Sequence, residues 1–184
     1  MTRRATLTTG QKLPEVAVTD RGVMVPATRI EARRMVLDGK DIAYRPWKLS
    51  AGNGRVRTIY HLAARLGLEA VNRPFVDALI AARLPELMPD APYKTITVVN
   101  LADALWGTRT LALGRMERNQ HHFPYALFVA DEKGLAREAW GLQPGQTAVI
   151  ILDRNGVIRF FKEGKLTPAE IRQAVAILRE ELKA

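Results

Sequence analysis

The stretch that most constrains the fold is the carboxy-terminal third. Ala148-Val-Ile-Ile-Leu152 is an unbroken apolar run, as suits a strand buried on both faces. Asp153-Arg-Asn-Gly156 follows as a turn, because Asn-Gly accepts positive φ at little cost. Val157–Phe161 then returns as the antiparallel partner. Thr167-Pro-Ala-Glu170 is a capping box with proline at the first helical position. Ile171, Val175, Leu178 and Leu182 recur behind it at helical spacing, giving one apolar stripe to lie on a sheet.

The remaining elements supply that sheet. Val56-Arg-Thr-Ile-Tyr-His-Leu62 alternates as a strand and leads into a helical stretch with Leu66, Val71, Phe75 and Leu79 on one face. Pro74 predicts a kink or a fresh helix start within it, and Pro85 and Pro89 close the segment. Lys94–Asn100 is a second strand, and residues 109–120 suit a helix with Leu111, Leu113 and Met116 inward. Ala126–Ala130 is a third strand, ended by Asp131-Glu-Lys-Gly134 and followed by a short helix through Trp140. Nearer the amino terminus, Val16 and Val18 alternate, and Asp20-Arg-Gly22 predicts a hairpin turn into Val23-Met-Val25. Residues 27–40 suit a strand or a short helix, Ala51-Gly-Asn-Gly54 is a flexible turn, and residues 1–10 are a flexible tail. The fold class is therefore α/β: a central mixed sheet flanked by helices, with an N-terminal β-hairpin and a C-terminal hairpin plus helix, in a single domain over residues 11–184.

Composition excludes one large class of chemistry. With no cysteine in 184 residues, the chain can neither exchange disulfides nor reduce peroxides through a thiol. The formal net charge of +9 is spread, with pairs at Arg3-Arg4 and Arg33-Arg34 but no longer basic run, which argues for a basic surface rather than a nucleic-acid footprint. No segment is apolar enough over sufficient length to be a transmembrane helix. No secretory h-region is visible, so the expected location is the periplasm if an upstream signal has been removed and the cytoplasm otherwise.

Several words of the sequence together resemble a known family: Thr9-Gly-Gln-Lys-Leu-Pro14, Thr19-Asp-Arg-Gly22, Gly54-Arg-Val-Arg57, His61-Leu-Ala-Ala-Arg65, Thr97-Val-Val-Asn100, Phe123-Pro124, Ala139-Trp140 and Leu166-Thr-Pro-Ala-Glu170. Their order resembles the YtfJ family of Gram-negative bacteria, within the peroxiredoxin and TlpA-like branch of the thioredoxin-like superfamily. That resemblance implies a thioredoxin-like sandwich and export to the periplasm. It also implies an address for the lost redox site: counting back from Pro74 puts the two thiol positions at Leu66 and Glu69. The position of the superfamily's cis-proline falls at about Thr147.

Candidate site residues come from the strand ends, where open α/β sheets place their crevices. His61 and Arg65 flank the end of the first central strand; the histidine suits an acid, base or ligand, and equally a hydrogen-bonded structural residue. Arg65 suits an anion holder, or a partner for Glu69 one turn along. Asn100, Asp103, Trp106 and Arg109 follow the second strand, and with His61, Arg65 and Thr147 they predict a polar pocket with one aromatic wall. Asp103 also suits a helix cap and Trp106 simple packing. His121-His122 points in two directions from one helix and needs a converging third ligand such as His61 or Asp103, so no metal and no other cofactor is expected.

The function these readings favour is a non-redox, thioredoxin-like binding or accessory protein of the bacterial periplasm. Its expected partner is a protein or a small anionic ligand, and oligomeric state is left open. The alternatives are a cysteine-independent enzyme using a His61/Arg65 crevice and a nucleic-acid-binding regulator.

Overall fold

The computed structural model describes residues 6–184. Seven strands are present: β1 (Ala17–Glu31), β2 (Arg34–Lys48), β3 (Val56–Ala63), β4 (Tyr93–Asn100), β5 (Leu127–Asp131), β6 (Thr147–Leu152) and β7 (Ile158–Glu163). They form one sheet in the order β2-β1-β5-β4-β3-β6-β7. The central trio β3, β4 and β5 is parallel, and the outer strands join antiparallel. Helices α1 (Leu68–Val71), α2 (Arg73–Ala82), α3 (Arg109–His122) and α5 (Pro168–Lys183) accompany one face, and α4 (Leu135–Ala139) the other. This is the expected mixed sheet flanked by helices.

Two cores result. Phe75 and Leu79 of α2, Met116 of α3 and Leu178 of α5 pack with Tyr60, Leu62 and Val99 on one face. On the other, Leu13, Val16, Ala136 and Trp140 cover Ile59, Ile96, Val98 and Ile150. Pro74 marks a fresh helix start, with α2 opening one residue earlier. Around α5 the capping box forms as expected: the Glu170 amide donates to the Thr167 hydroxyl at 3.2 Å, and the Thr167 amide donates to the Glu170 carboxylate at 3.1 Å.

The amino-terminal hairpin differs from expectation. Asp20-Arg-Gly22 is not its turn; β1 runs straight through, and residues between Val18 and Val23 form an irregular bulge against β2. Gly22 sits there at φ 86°, where an added Cβ would overlap the Arg45 carbonyl oxygen. The turn lies at Ala32-Arg33, both at positive φ, inside the stretch whose secondary structure the sequence left undecided. At the expected tail, residues 1–5 fall outside the described residues. The next few are docked rather than loose: Leu7 is buried, and the Gly10 amide donates to the Ile158 carbonyl. Two side chains expected inward point out: Leu111 of α3 is 62% exposed and Leu66 is 70% exposed.

Gly22→Ala is expected to cost about 2–4 kcal/mol in urea denaturation, through both positive φ and backbone overlap. Thr167→Ala should cost only about 1 kcal/mol as a lost cap. Equal losses in the two variants would show that the bulge does not need its glycine.

Candidate functional site

Strand parity decides which candidates share a face. In the β3–β4 and β4–β5 pairings, Ala63, Asn100 and Asp131 lie level, on the same face as His61 and Val98. Thr147 pairs with Leu62 across β3–β6, one residue along from His61, and so points to the opposite face. The expected single pocket joining His61, Arg65, Asn100 and Thr147 is therefore not formed: the sheet itself divides it.

His61 is 2% exposed and packs edge-on against Trp140, ring centroids 6.2 Å apart. Its Nε2 is buried without a hydrogen-bond partner among the described residues. Burial pushes its pKa down to about 4; Asp103 opposes that shift and Arg137 reinforces it. The imidazole is thus neutral at pH 7, and it lines no part of the large groove described below. Beside it, the Asn100 Oδ1 accepts the Ala102 amide at 3.0 Å while its Nδ2 is buried and unpartnered. Asp131 starts α4, its carboxylate accepting the Leu135 and Ala136 amides at 3.0 and 2.9 Å. Burial raises the Asp131 pKa against the pull of those amides.

On the opposite face Thr147 is tied to a residue the sequence reading missed. Asn72, buried at the α1–α2 junction, donates from Nδ2 to the Thr147 hydroxyl at 3.3 Å and to the Gly164 carbonyl at 3.0 Å. Its Oδ1 accepts the Leu166 amide at 2.9 Å. One amide side chain thus joins the helix start, β6 and the loop into α5. Asparagine just before Arg-Pro at a helix start was the available signal.

At the carboxyl ends of the strands the remaining candidates gather loosely. Arg65 donates from Nε to the Asp103 carbonyl at 3.2 Å, and the Asp103 carboxylate accepts the Gly145 amide at 2.9 Å. Glu69 pairs with Arg115 at 2.8 Å, not with Arg65. Trp106 is fully exposed and forms no aromatic wall; Arg109 is exposed too. His121 Nε2 lies 3.0 Å from the Lys40 carbonyl, and the His122 ring packs edge-on against Phe123. Among the described residues no three His, Cys, Asp or Glu side chains converge as metal ligands.

What the structure builds instead is a groove of about 620 Å³ between α2 and α3. Tyr60 and Leu62 of β3, Val99 of β4 and Phe128 of β5 line it from the sheet, with Phe75, Leu79 and Met116 from the helices. The Tyr60 hydroxyl is buried beside the Asn72 backbone; burial pushes its pKa up to about 12, against the pull of that neighbour, so it stays protonated. Arg65, Leu66, Glu69, Leu111 and Arg115 also border the groove. Of the sequence candidates, the groove takes Arg65, Leu66 and Glu69; it excludes His61, Asn100, Asp103, Trp106, Arg109 and Thr147.

Residues 7–181 match a family described as bacterial protein of unknown function (YtfJ_HI0045). Over 175 residues the chain is 33% identical to the uncharacterized protein YtfJ of Escherichia coli, covering 95% of this chain and 87% of that one. An uncharacterized protein of Haemophilus influenzae is 30% identical over 168 residues, 91% of this chain and 83% of that one. Among solved structures, the reduced 2-Cys peroxiredoxin of Plasmodium vivax superposes with a TM-score of 0.58 at 10% identity, covering 96% of this chain and 99% of that one. The thioredoxin domain of a thiol-disulfide oxidoreductase from Bacteroides vulgatus gives 0.54 at 14% identity, covering 94% and 98%. The fold is thioredoxin-like.

The unfolded chain protonates His61 near pH 6.5 and the folded chain only near pH 4, so its contribution to stability is lost as pH falls through that window. The stability difference between wild type and His61→Leu should fall by roughly 2–3 kcal/mol from pH 7 to pH 4. A difference that stays constant with pH would show that His61 is solvated.

Proposed function

The chain belongs to the YtfJ family of bacterial proteins of unknown function, and on that premise we propose that it is a non-redox, thioredoxin-like binding or accessory protein of the bacterial periplasm. The observation that carries this reading is what stands at the implied thiol positions. Leu66 and Glu69 occupy them at the start of α1, both exposed, and both border the groove. A crevice that elsewhere in the superfamily presents sulfur to a partner here presents a leucine and an arginine-paired glutamate. Neither can form a mixed disulfide, while the concave, mainly apolar surface beside them suits non-covalent capture. The periplasmic part of the proposal rests on the family resemblance. The enzymatic alternative needed His61 to reach a bound molecule, and the packing of Trp140 against its ring gives that reading no support.

The test is a thermal-shift titration of the purified chain with periplasmic extract separated into protein and small-molecule pools, alongside fractionation of cells making the full-length protein. A rise of several degrees in Tm with one pool, diminished in Glu69→Lys, is expected, with the protein recovered in the periplasmic fraction. No shift with either pool, or recovery in the cytoplasm, would overturn the proposal.

A further inference from the structure

Two of the large apolar side chains exposed at the surface stand at one end of the groove. Leu66 precedes α1, and Leu111 lies in the first turn of α3. Ile80 of α2, 52% exposed, borders the same groove. Exposed leucines are ordinary when scattered, but three bordering one apolar trough form a continuous unburied surface.

The charges around this trough have a definite sense. Arg65, Arg73, Arg115 and Arg118 line it. Arg115 is matched by Glu69, whereas Arg65 forms no ion pair among the described residues and donates to the Asp103 carbonyl. Arg73 and Arg118 have neither ion pair nor hydrogen bond to a side chain among the described residues. Of the other acids, Asp77 lies one turn along α2 from Arg73, and Glu86 is held by the Thr95 amide, level with the amino-terminal part of β4 and far from Arg65 along the strand direction. From Thr95 to Val99 the floor runs about 13 Å at strand rise. The trough is thus long and largely apolar, with Arg65, which forms no ion pair among the described residues, at the end where β3 finishes.

We infer, resting on the binding role proposed above, that the groove between α2 and α3 holds a single-chain fatty carboxylate, its acyl chain along the sheet and its carboxylate at Arg65. A cavity of about 620 Å³ lies in the range of small-molecule sites. An acyl chain removes the exposed apolar edges from water, and a carboxylate matches the Arg65 guanidinium in a bidentate pair. A peptide would need backbone partners that the apolar floor does not offer.

Calorimetric titration of the full chain with dodecanoate below its micelle concentration tests the inference, with dodecyl phosphate, dodecanol and dodecyltrimethylammonium as parallel arms. Saturable one-to-one binding of dodecanoate is expected, with shorter chains weaker and the ammonium arm at least tenfold weaker. Tighter binding of dodecyl phosphate than of dodecanoate would overturn the assignment of the head group. Arg65→Gln should weaken dodecanoate about tenfold while leaving dodecanol within twofold. Ala112→Trp, which fills the groove from α3, should abolish both without changing the circular dichroism spectrum. Should that variant fail to fold, Leu111→Glu on the exposed edge replaces it, with loss of dodecanoate binding expected. No saturable dodecanoate binding, equal binding of the cationic arm, or binding unaffected by the groove substitutions would overturn the inference. A thermal shift that persists with the periplasmic protein pool after such a result would leave the broader binding role standing.

Discussion

Every residue of β3 is buried, and the strand sits in the interior of the sheet with β4 on one side and β6 on the other. It nonetheless carries Arg57, Thr58, Tyr60 and His61, so each polar group must find its partner inside the protein or go without. Arg57 Nη1 donates to the Leu49 carbonyl at 2.7 Å and Nη2 to Asn53 Oδ1 at 3.3 Å, while burial lowers its pKa. Thr58 receives the Tyr93 hydroxyl at 2.7 Å. The loop before β3 is shaped by these demands: a Cβ at Gly52 would stand 2.7 Å from the Arg57 side chain, so a larger residue there would displace the guanidinium that these bonds hold. At the start of β4 the same logic recurs, with Lys94 donating to the Glu86, Met88 and Tyr125 carbonyls at 2.9–3.1 Å and burial lowering its pKa to about 8.

The amino-terminal ends of the central strands are in this way locked by buried cations, and the opposite ends are where helices begin and the surface opens. The two faces then diverge. On the α4 side, the segment through Leu13 and Val16 and the Trp140 ring close over the sheet, with the Trp140 indole donating to the Pro14 carbonyl at 2.9 Å. On the other, α3 buries only Met116 and Gln120 fully. A helix with so few apolar residues to bury does not settle onto the sheet as α5 does with Ala174 and Leu178. The trough beside α2 is the consequence.

What was legible in the chain followed the reach of its signals. The hairpin through Asn155-Gly156, the cap at Thr167 and the apolar stripe of α5 are local, each decided by residues within one or two turns, and they formed as read. The amino-terminal hairpin failed for an equally local reason. Its turn uses Ala32-Arg33 at positive φ without glycine or asparagine, while the Asp20-Arg-Gly22 turn signal serves a bulge. The alternation of Val56–Leu62 identifies a strand but presumes one wet face, and β3 has none. Leu111, expected inward, points out because α3 meets the sheet further along its length, at Met116 and Gln120.

By itself the sequence determined the absence of thiol chemistry, the order of strands and helices from β3 onward, and the placement of the candidate residues at strand ends. All of these depend on residue identity and on neighbours close along the chain. Only the tertiary structure decided which candidates meet. Pairing register sets parity, and parity put His61 and Asn100 on one side of the sheet and Thr147 on the other. Packing then sealed His61 behind Trp140, matched Glu69 with Arg115 rather than Arg65, and left an apolar trough that no contiguous stretch of residues encodes. Those outcomes turn on contacts between residues distant in the chain, whose alignment is a property of the assembled sheet.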